Sequence, residues 1–159
     1  MSTKRNVVAI IDDNLGILGA MGRLLSALGY DTELYASAKE FLDGAMMTEA
    51  ICLIVDVQLG ESCGIDFAQH LAKAGFTIPI IFMSARNNES VKRRAAEIGC
   101  VAFLIKPFSA DVLIEALANA GRDHAGGTST LGAMRRLEFV RRSRCSRDLQ
   151  TIRKFRNQQ

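Results

Sequence analysis

The chain has 159 residues, 48% hydrophobic and 23% charged, with a formal net charge of +3, a composition that excludes chains kept disordered by low hydrophobicity and high charge. That length accommodates one core and a short appendage. Apolar runs such as Val7–Ile11 have five residues against the ~20 needed to cross a bilayer, and the polar N-terminus leads into no long apolar export segment, so a cytoplasmic protein is expected.

The first expected strand spans residues 7–11 and ends in Asp12-Asp13. Asn14 is placed to cap a helix that runs to Leu28 and stops at Gly29. Within it Gly16, Gly19 and Gly22 fall three apart, at a cost of about 1 kcal/mol each relative to Ala. They do not fit G-x-G-x-x-G, and a close approach of helix to sheet is expected of them in place of phosphate binding. Residues 32–35 form the second strand, 38–47 a helix, 51–55 the third strand ending at Asp56, 65–74 the third helix and 78–83 the fourth strand ending at Ser84. Asn87 or Asn88 then caps a helix that ends at Ile98 before Gly99. The fifth strand, 101–105, ends in Lys106, and the last helix, 109–120, carries an apolar stripe of Val112, Leu113, Ala116, Leu117 and Ala120.

Most of these strands are apolar without alternation, the mark of a parallel sheet covered by helices on both faces. The expected fold is α/β, (βα)₅, with a doubly wound, parallel five-stranded sheet of strand order 2-1-3-4-5, flavodoxin-like.

Residues 1–121 hold ten basic and 14 acidic side chains, a balance of about −4, whereas residues 122–159 hold ten and three, a balance of +7. This shift predicts a domain over 1–121, a linker over 122–130 containing Gly-Gly-Thr-Ser-Thr, and a basic tail over 131–159. The tail has arginines at 135, 136, 141, 142, 144 and 147 but only Phe139 and Phe155 as aromatics, so a solvated tail is preferred to a nucleic-acid interface. Leu131, Met134 and Leu137 suit one short amphipathic helix, which is too little for a DNA-binding domain. Cys52, Cys63, Cys100 and Cys145 show no C-x-x-C spacing, and His70 and His124 each stand without a ligand-spaced partner. Structural thiols are the expected reading, with no zinc site.

In open α/β sheets ligands bind outside the carboxyl ends of the strands, and here those ends are polar. Asp12, Asp13, Asp56, Ser84 and Lys106 are expected to meet in one crevice. Clustered carboxylates repel one another unless a cation intervenes, and oxygen ligands suit a hard ion such as Mg²⁺, which leaves coordination positions open for a phosphoryl oxygen. A carboxylate is itself able to act as nucleophile in phosphoryl transfer, with Lys106 neutralising charge and Ser84 donating a hydrogen bond to the phosphoryl group. Taken singly, an acidic pair starts a turn, Asp56 opens a loop, Ser84 caps, Lys106 is a solvated charge and Phe103 is core. Their coincidence at four strand ends reverses that preference.

With Asp12-Asp13 after Val-Val-Ala-Ile-Ile, Asp56 after Cys-Leu-Ile-Val, Ser84 after Ile-Ile-Phe-Met and Lys106-Pro107 after Ala-Phe-Leu-Ile, residues 5 to about 120 resemble the receiver domains of two-component response regulators. The resemblance implies that Asp56 is the phosphoacceptor, that Asp13, Asp56 and the Gln58 carbonyl hold Mg²⁺, and that Asp12 contributes largely through water. Lys106 would pair with the phosphoryl group, Ser84 and Phe103 would be switch residues, and the Lys106-Pro107 peptide would be cis. It further implies a histidine kinase as phosphate donor, a phosphorylation-dependent homodimer, and a place upstream of transcription control. The changed surface would include Val91, Ala95, Phe103 and Val112. Catalysis would extend only to the domain's own phosphorylation and dephosphorylation. Gln58 and Arg86 occupy positions that tune dephosphorylation in the family. One departure is Gly60, in Leu59-Gly60-Glu61-Ser62-Cys63-Gly64, where receivers often have proline; a more mobile loop is expected there. The competing readings are a constitutive binding module, a nucleic-acid-binding regulator acting through the tail, and a hydrolase using Asp56.

Overall fold

The computed structural model describes residues 6–125. Five strands, β1 (Val7–Ile11), β2 (Asp31–Tyr35), β3 (Ala50–Asp56), β6 (Ile80–Ser84) and β7 (Ala102–Ile105), pair in parallel in the order β2-β1-β3-β6-β7. Two-residue strands β4 (Gln58–Leu59) and β5 (Ser62–Cys63) make a separate antiparallel hairpin. With that hairpin set aside the order is 2-1-3-4-5, as expected of the doubly wound sheet. The helices are α1 (Leu15–Ala27), α2 (Ala38–Gly44) with a 3₁₀ turn at Ala45–Met47, α3 (Gly64–Lys73), α4 (Glu89–Ile98) and α5 (Ala110–Ala125).

Helix ends follow local chemistry. The Asn14 side chain accepts the Ile17 N–H, Ser37 that of Glu40, and Asn88 those of Ser90 and Val91. α4 ends on Gly99 at φ 83°, a left-handed conformation that favours glycine. α5 runs on to Ala125, beyond the expected end at Ala120. The linker from 126 and the basic tail lie outside the described residues.

Side-chain alternation along the central strands divides the core. Ala9, Ile11, Leu53, Val55 and Phe82 face α2, α3 and α4, whose Phe41, Phe67 and Ala95 are fully buried. Val8, Ile10, Ile54, Ile81 and Met83 face α1 and α5 through Leu18, Met21, Leu25, Leu113 and Leu117. Phe41 stacks edge-on against Tyr35, Phe67 and Phe76, with ring centroids 5.2, 5.8 and 5.9 Å away, geometry that aromatic quadrupoles favour.

Three sequence expectations need correction. The sheet-facing stripe of α1 is Leu18, Met21 and Leu25; of its glycines only Gly22 lies close to a strand, where a Cβ would come within 3.2 Å of the Leu34 side chain. Val112 is exposed and outside the buried stripe of α5, because Leu113, Ala116, Leu117 and Ala120 already define the inward arc. Ala95 is fully buried, so it offers nothing to a surface. The Lys106-Pro107 peptide is cis.

Candidate functional site

Register brings the polar strand ends together. Ile11 pairs with Val55, Asp56 with Met83, and Ser84 with Ile105, so Asp12, Asp56, Ser84 and Lys106 emerge at one edge of the sheet. The ladder continues past the strands: Asp12 N–H donates to the Tyr35 carbonyl at 3.1 Å, Val57 N–H to Met83 at 2.8 Å and Lys106 N–H to Ser84 at 2.8 Å. These bonds fix the backbone from which the side chains project.

Lys106 Nζ donates to Asp12 Oδ2 at 2.9 Å and to Asp56 Oδ2 at 3.2 Å. Asp12 is fully buried, and its Oδ1 accepts the Asn14 N–H at 2.8 Å. Asp56 is buried too and accepts the Gln58 N–H at 3.2 Å through Oδ1. Burial raises the Asp56 carboxyl above its ordinary range; Lys106 pulls it back, Asp12 pushes it up, and the Gln58 N–H lowers it. Burial alone would lower Lys106, but the bond to Asp12 and the nearby charges of Asp56 and Asp12 leave it raised. The lysine therefore stays cationic between two carboxylates.

Asp13 is the exposed member of the group, and one oxygen from each of Asp12, Asp13 and Asp56 lies within 4.8 Å of the others. Three carboxylates against one ammonium leave a formal excess of two negative charges in a largely buried crevice. That set of hard oxygen donors fits a divalent cation.

Ser84 belongs to the same edge, but its hydroxyl is turned into its own backbone, donating to the Arg86 carbonyl at 2.9 Å and accepting the Arg86 N–H at 3.1 Å. Phe103 lies half-buried on β7 against Phe82, ring centroids 6.5 Å apart. Gln58 is exposed and opens the β4–β5 hairpin beside Asp56. The structure thus joins Asp12 and Asp56 directly to Lys106, brings an Asp13 oxygen within 4.8 Å of theirs, binds Gln58 through its backbone N–H, and sets Ser84 and Phe103 on adjacent strands.

Two glycines of this site were not expected to take part in it, Gly60 standing only as the departure that should loosen its loop. The Gly60 N–H donates to Asp13 Oδ2 at 3.0 Å, from a residue with φ 60°. Gly64 is buried where a Cβ would stand 2.0 Å from the Asp56 carbonyl oxygen, and its N–H donates to the Val57 carbonyl at 2.7 Å. The available signal was their spacing, four and eight residues after a strand-terminal aspartate.

A family model described as "Response regulator receiver domain" matches residues 8–118. Among curated proteins, the chain is 34% identical over 120 residues to the response regulator protein TodT of Pseudomonas putida, covering 76% of this chain and 53% of that one. It is 30% identical over 112 residues to the transcriptional regulatory protein TdiR of Thauera aromatica, covering 70% and 49%. The chain spans about half the length of these relatives. A CheY-like receiver domain from Methanospirillum hungatei superposes with a TM-score of 0.71 at 20% identity, over 77% of this chain and 98% of that one, which speaks to the fold.

Proposed function

Because the chain belongs to the response regulator receiver domain family, we propose that Asp56 accepts a phosphoryl group from a partner histidine kinase and that the resulting charge switches the contacts the domain makes. The observation that carries this reading is the Asp56 carboxylate itself: buried, bonded to Lys106 at 3.2 Å, and within 4.8 Å of the Asp12 and Asp13 oxygens.

In the reaction an Asp56 oxygen attacks the phosphorus of a phosphohistidine; the new P–O bond forms as the P–N bond breaks, and the imidazole leaves with the electron pair. Lys106 opposes the upward shift that burial imposes on Asp56 and then neutralises charge on the phosphoryl oxygens. Asp13, Asp56 and the Gln58 carbonyl would hold Mg²⁺, with Asp12 contributing through water. When bound, Mg²⁺ supplies charge neutralisation at the phosphoryl group. Those donors fit it because the crevice carries two uncompensated negative charges.

Ser84 is placed to report the event. A phosphoryl oxygen on Asp56 is a stronger acceptor than the Arg86 carbonyl, so the hydroxyl leaves its turn and bonds the phosphoryl group, and the half-buried Phe103 ring repacks into the space. The exposed surface around Val91, Phe103 and Val112 then changes, and a phosphorylation-dependent homodimer forms there. The transcriptional regulatory relative supports an output at transcription, and the location proposed is the cytoplasm. Nucleic-acid binding through the basic tail falls outside the described residues. No helix among the described residues is long and apolar enough to cross a membrane.

Intact-mass measurement after treatment with acetyl phosphate and Mg²⁺ tests the central claim. Wild-type protein should gain the mass of one phosphoryl group and Asp56→Asn should gain none. Equal modification of both, or of neither, would refute the assignment.

A further inference from the structure

We infer that the backbone N–H of Gly60 is a positioning group for the cation site, holding the Asp13 carboxylate over the crevice through its 3.0 Å bond to Oδ2. This rests on the proposed cation site and adds to it a group outside the residues that would touch the ion.

Asp13 is exposed at the end of β1, where water competes for its carboxylate. Asp12 is held differently, by burial, by the Asn14 N–H and by Lys106. The structure supplies Asp13 with a donor from 47 residues away in sequence, so its direction depends on where the β3–α3 connection lies. That connection is itself anchored. Leu59 is buried in the core, Gln58 and Leu59 pair with Cys63 and Ser62, and the Gly64 N–H bonds the Val57 carbonyl at 2.7 Å. Gly60 sits at the tip of this hairpin with φ 60°, a conformation glycine adopts without cost, and that conformation turns its amide toward Asp13.

A hairpin anchored at its base thus presents one N–H to an otherwise solvated ligand carboxylate. A carboxylate oxygen has a second lone pair, so the same oxygen is able to accept this bond and still face a cation. Preorganising a ligand before the ion arrives removes part of the ordering cost of binding.

The test is the Mg²⁺ affinity of three 159-residue chains, measured by isothermal titration calorimetry: wild type, Gly60→Pro and Gly60→Asn. Proline has no N–H and is locked near −65° in φ, so it removes the bond. Asparagine keeps the N–H and tolerates left-handed backbone, and a Cβ here would meet only Asp13 Oδ2, at 3.9 Å. Gly60→Pro should bind Mg²⁺ about fivefold more weakly, the scale of one charge-assisted bond at an exposed site, and Gly60→Asn should stay within about twofold of wild type. A second measurement needs no change at residue 60: in Asp13→Ala the Gly60 amide resonance should move upfield and exchange with solvent faster. Wild-type affinity in Gly60→Pro, equal weakening in Gly60→Asn, or an unmoved Gly60 amide in Asp13→Ala would overturn the inference alone. Absence of Mg²⁺ binding by wild type would overturn the cation site as well.

Discussion

At the scale of single residues, the site combines side chains chosen for charge with backbone positions chosen for space. Asp56 and Lys106 were legible because they coincide with Asp12-Asp13 and Ser84 at four strand ends, whereas taken singly each has a commoner structural use. Gly64 was not, since a glycine shows its purpose only when something stands where its Cβ would be. Here that obstacle is the carbonyl oxygen of Asp56 at 2.0 Å, which belongs to backbone and has no flexible end to swing away. Gly64→Ala should therefore destabilise the fold by about 2 kcal/mol, within the range for overpacked buried positions, as read from the urea midpoint. The same shift displaces Asp56, so phosphorylation by acetyl phosphate should slow in protein that is still folded.

Among the elements, β2 shows how an edge strand is secured. Glu33 accepts the Thr48 hydroxyl at 2.6 Å and the Tyr35 hydroxyl at 2.9 Å through Oε2, and the Glu49 N–H at 3.3 Å through Oε1. The strand is thereby tied to the connection that leads into β3. Burial, together with the bond to Glu33 and its charge, raises the Tyr35 phenol from 10.0 to about 12. A raised folded-state value means that this group's stabilising contribution is fully present below the ordinary tyrosine range and is lost as pH rises through about 12. Between those limits the urea midpoint of wild type should fall more steeply than that of Tyr35→Phe, and the late phenolate absorbance step should vanish in the variant. The strand itself was legible from its β-branched and aromatic residues, and Asn14, the Asn87-Asn88 pair and Gly99 announced their helix ends, with the structure choosing Asn88. The hairpin β4–β5 was not, because two-residue strands carry no periodicity.

For the whole molecule, the carboxylates of Asp13 and Asp56 meet only in the folded chain, 43 positions apart in the sequence, so a cation held by both binds the native state in preference to the unfolded one. Mg²⁺ at ten times its dissociation constant should stabilise the fold by about 1.4 kcal/mol, a rise of roughly 5 °C in Tm for a domain of this size, and Asp13→Ala should abolish the rise in a thermal melt. The chain's local chemistry determined much on its own: unbroken apolar strands call for cover on both faces, and capping residues and glycines punctuate the helices between them. It also determined which functional groups stand at the strand ends, since those groups interrupt the apolar pattern. Tertiary structure decided the rest, because direction and distance depend on packing between distant segments. Only the folded sheet turns the Ser84 hydroxyl into the Arg86 backbone, buries Ala95 while exposing Val112, presses Gly64 against Asp56, and carries the Gly60 amide to within a hydrogen bond of Asp13.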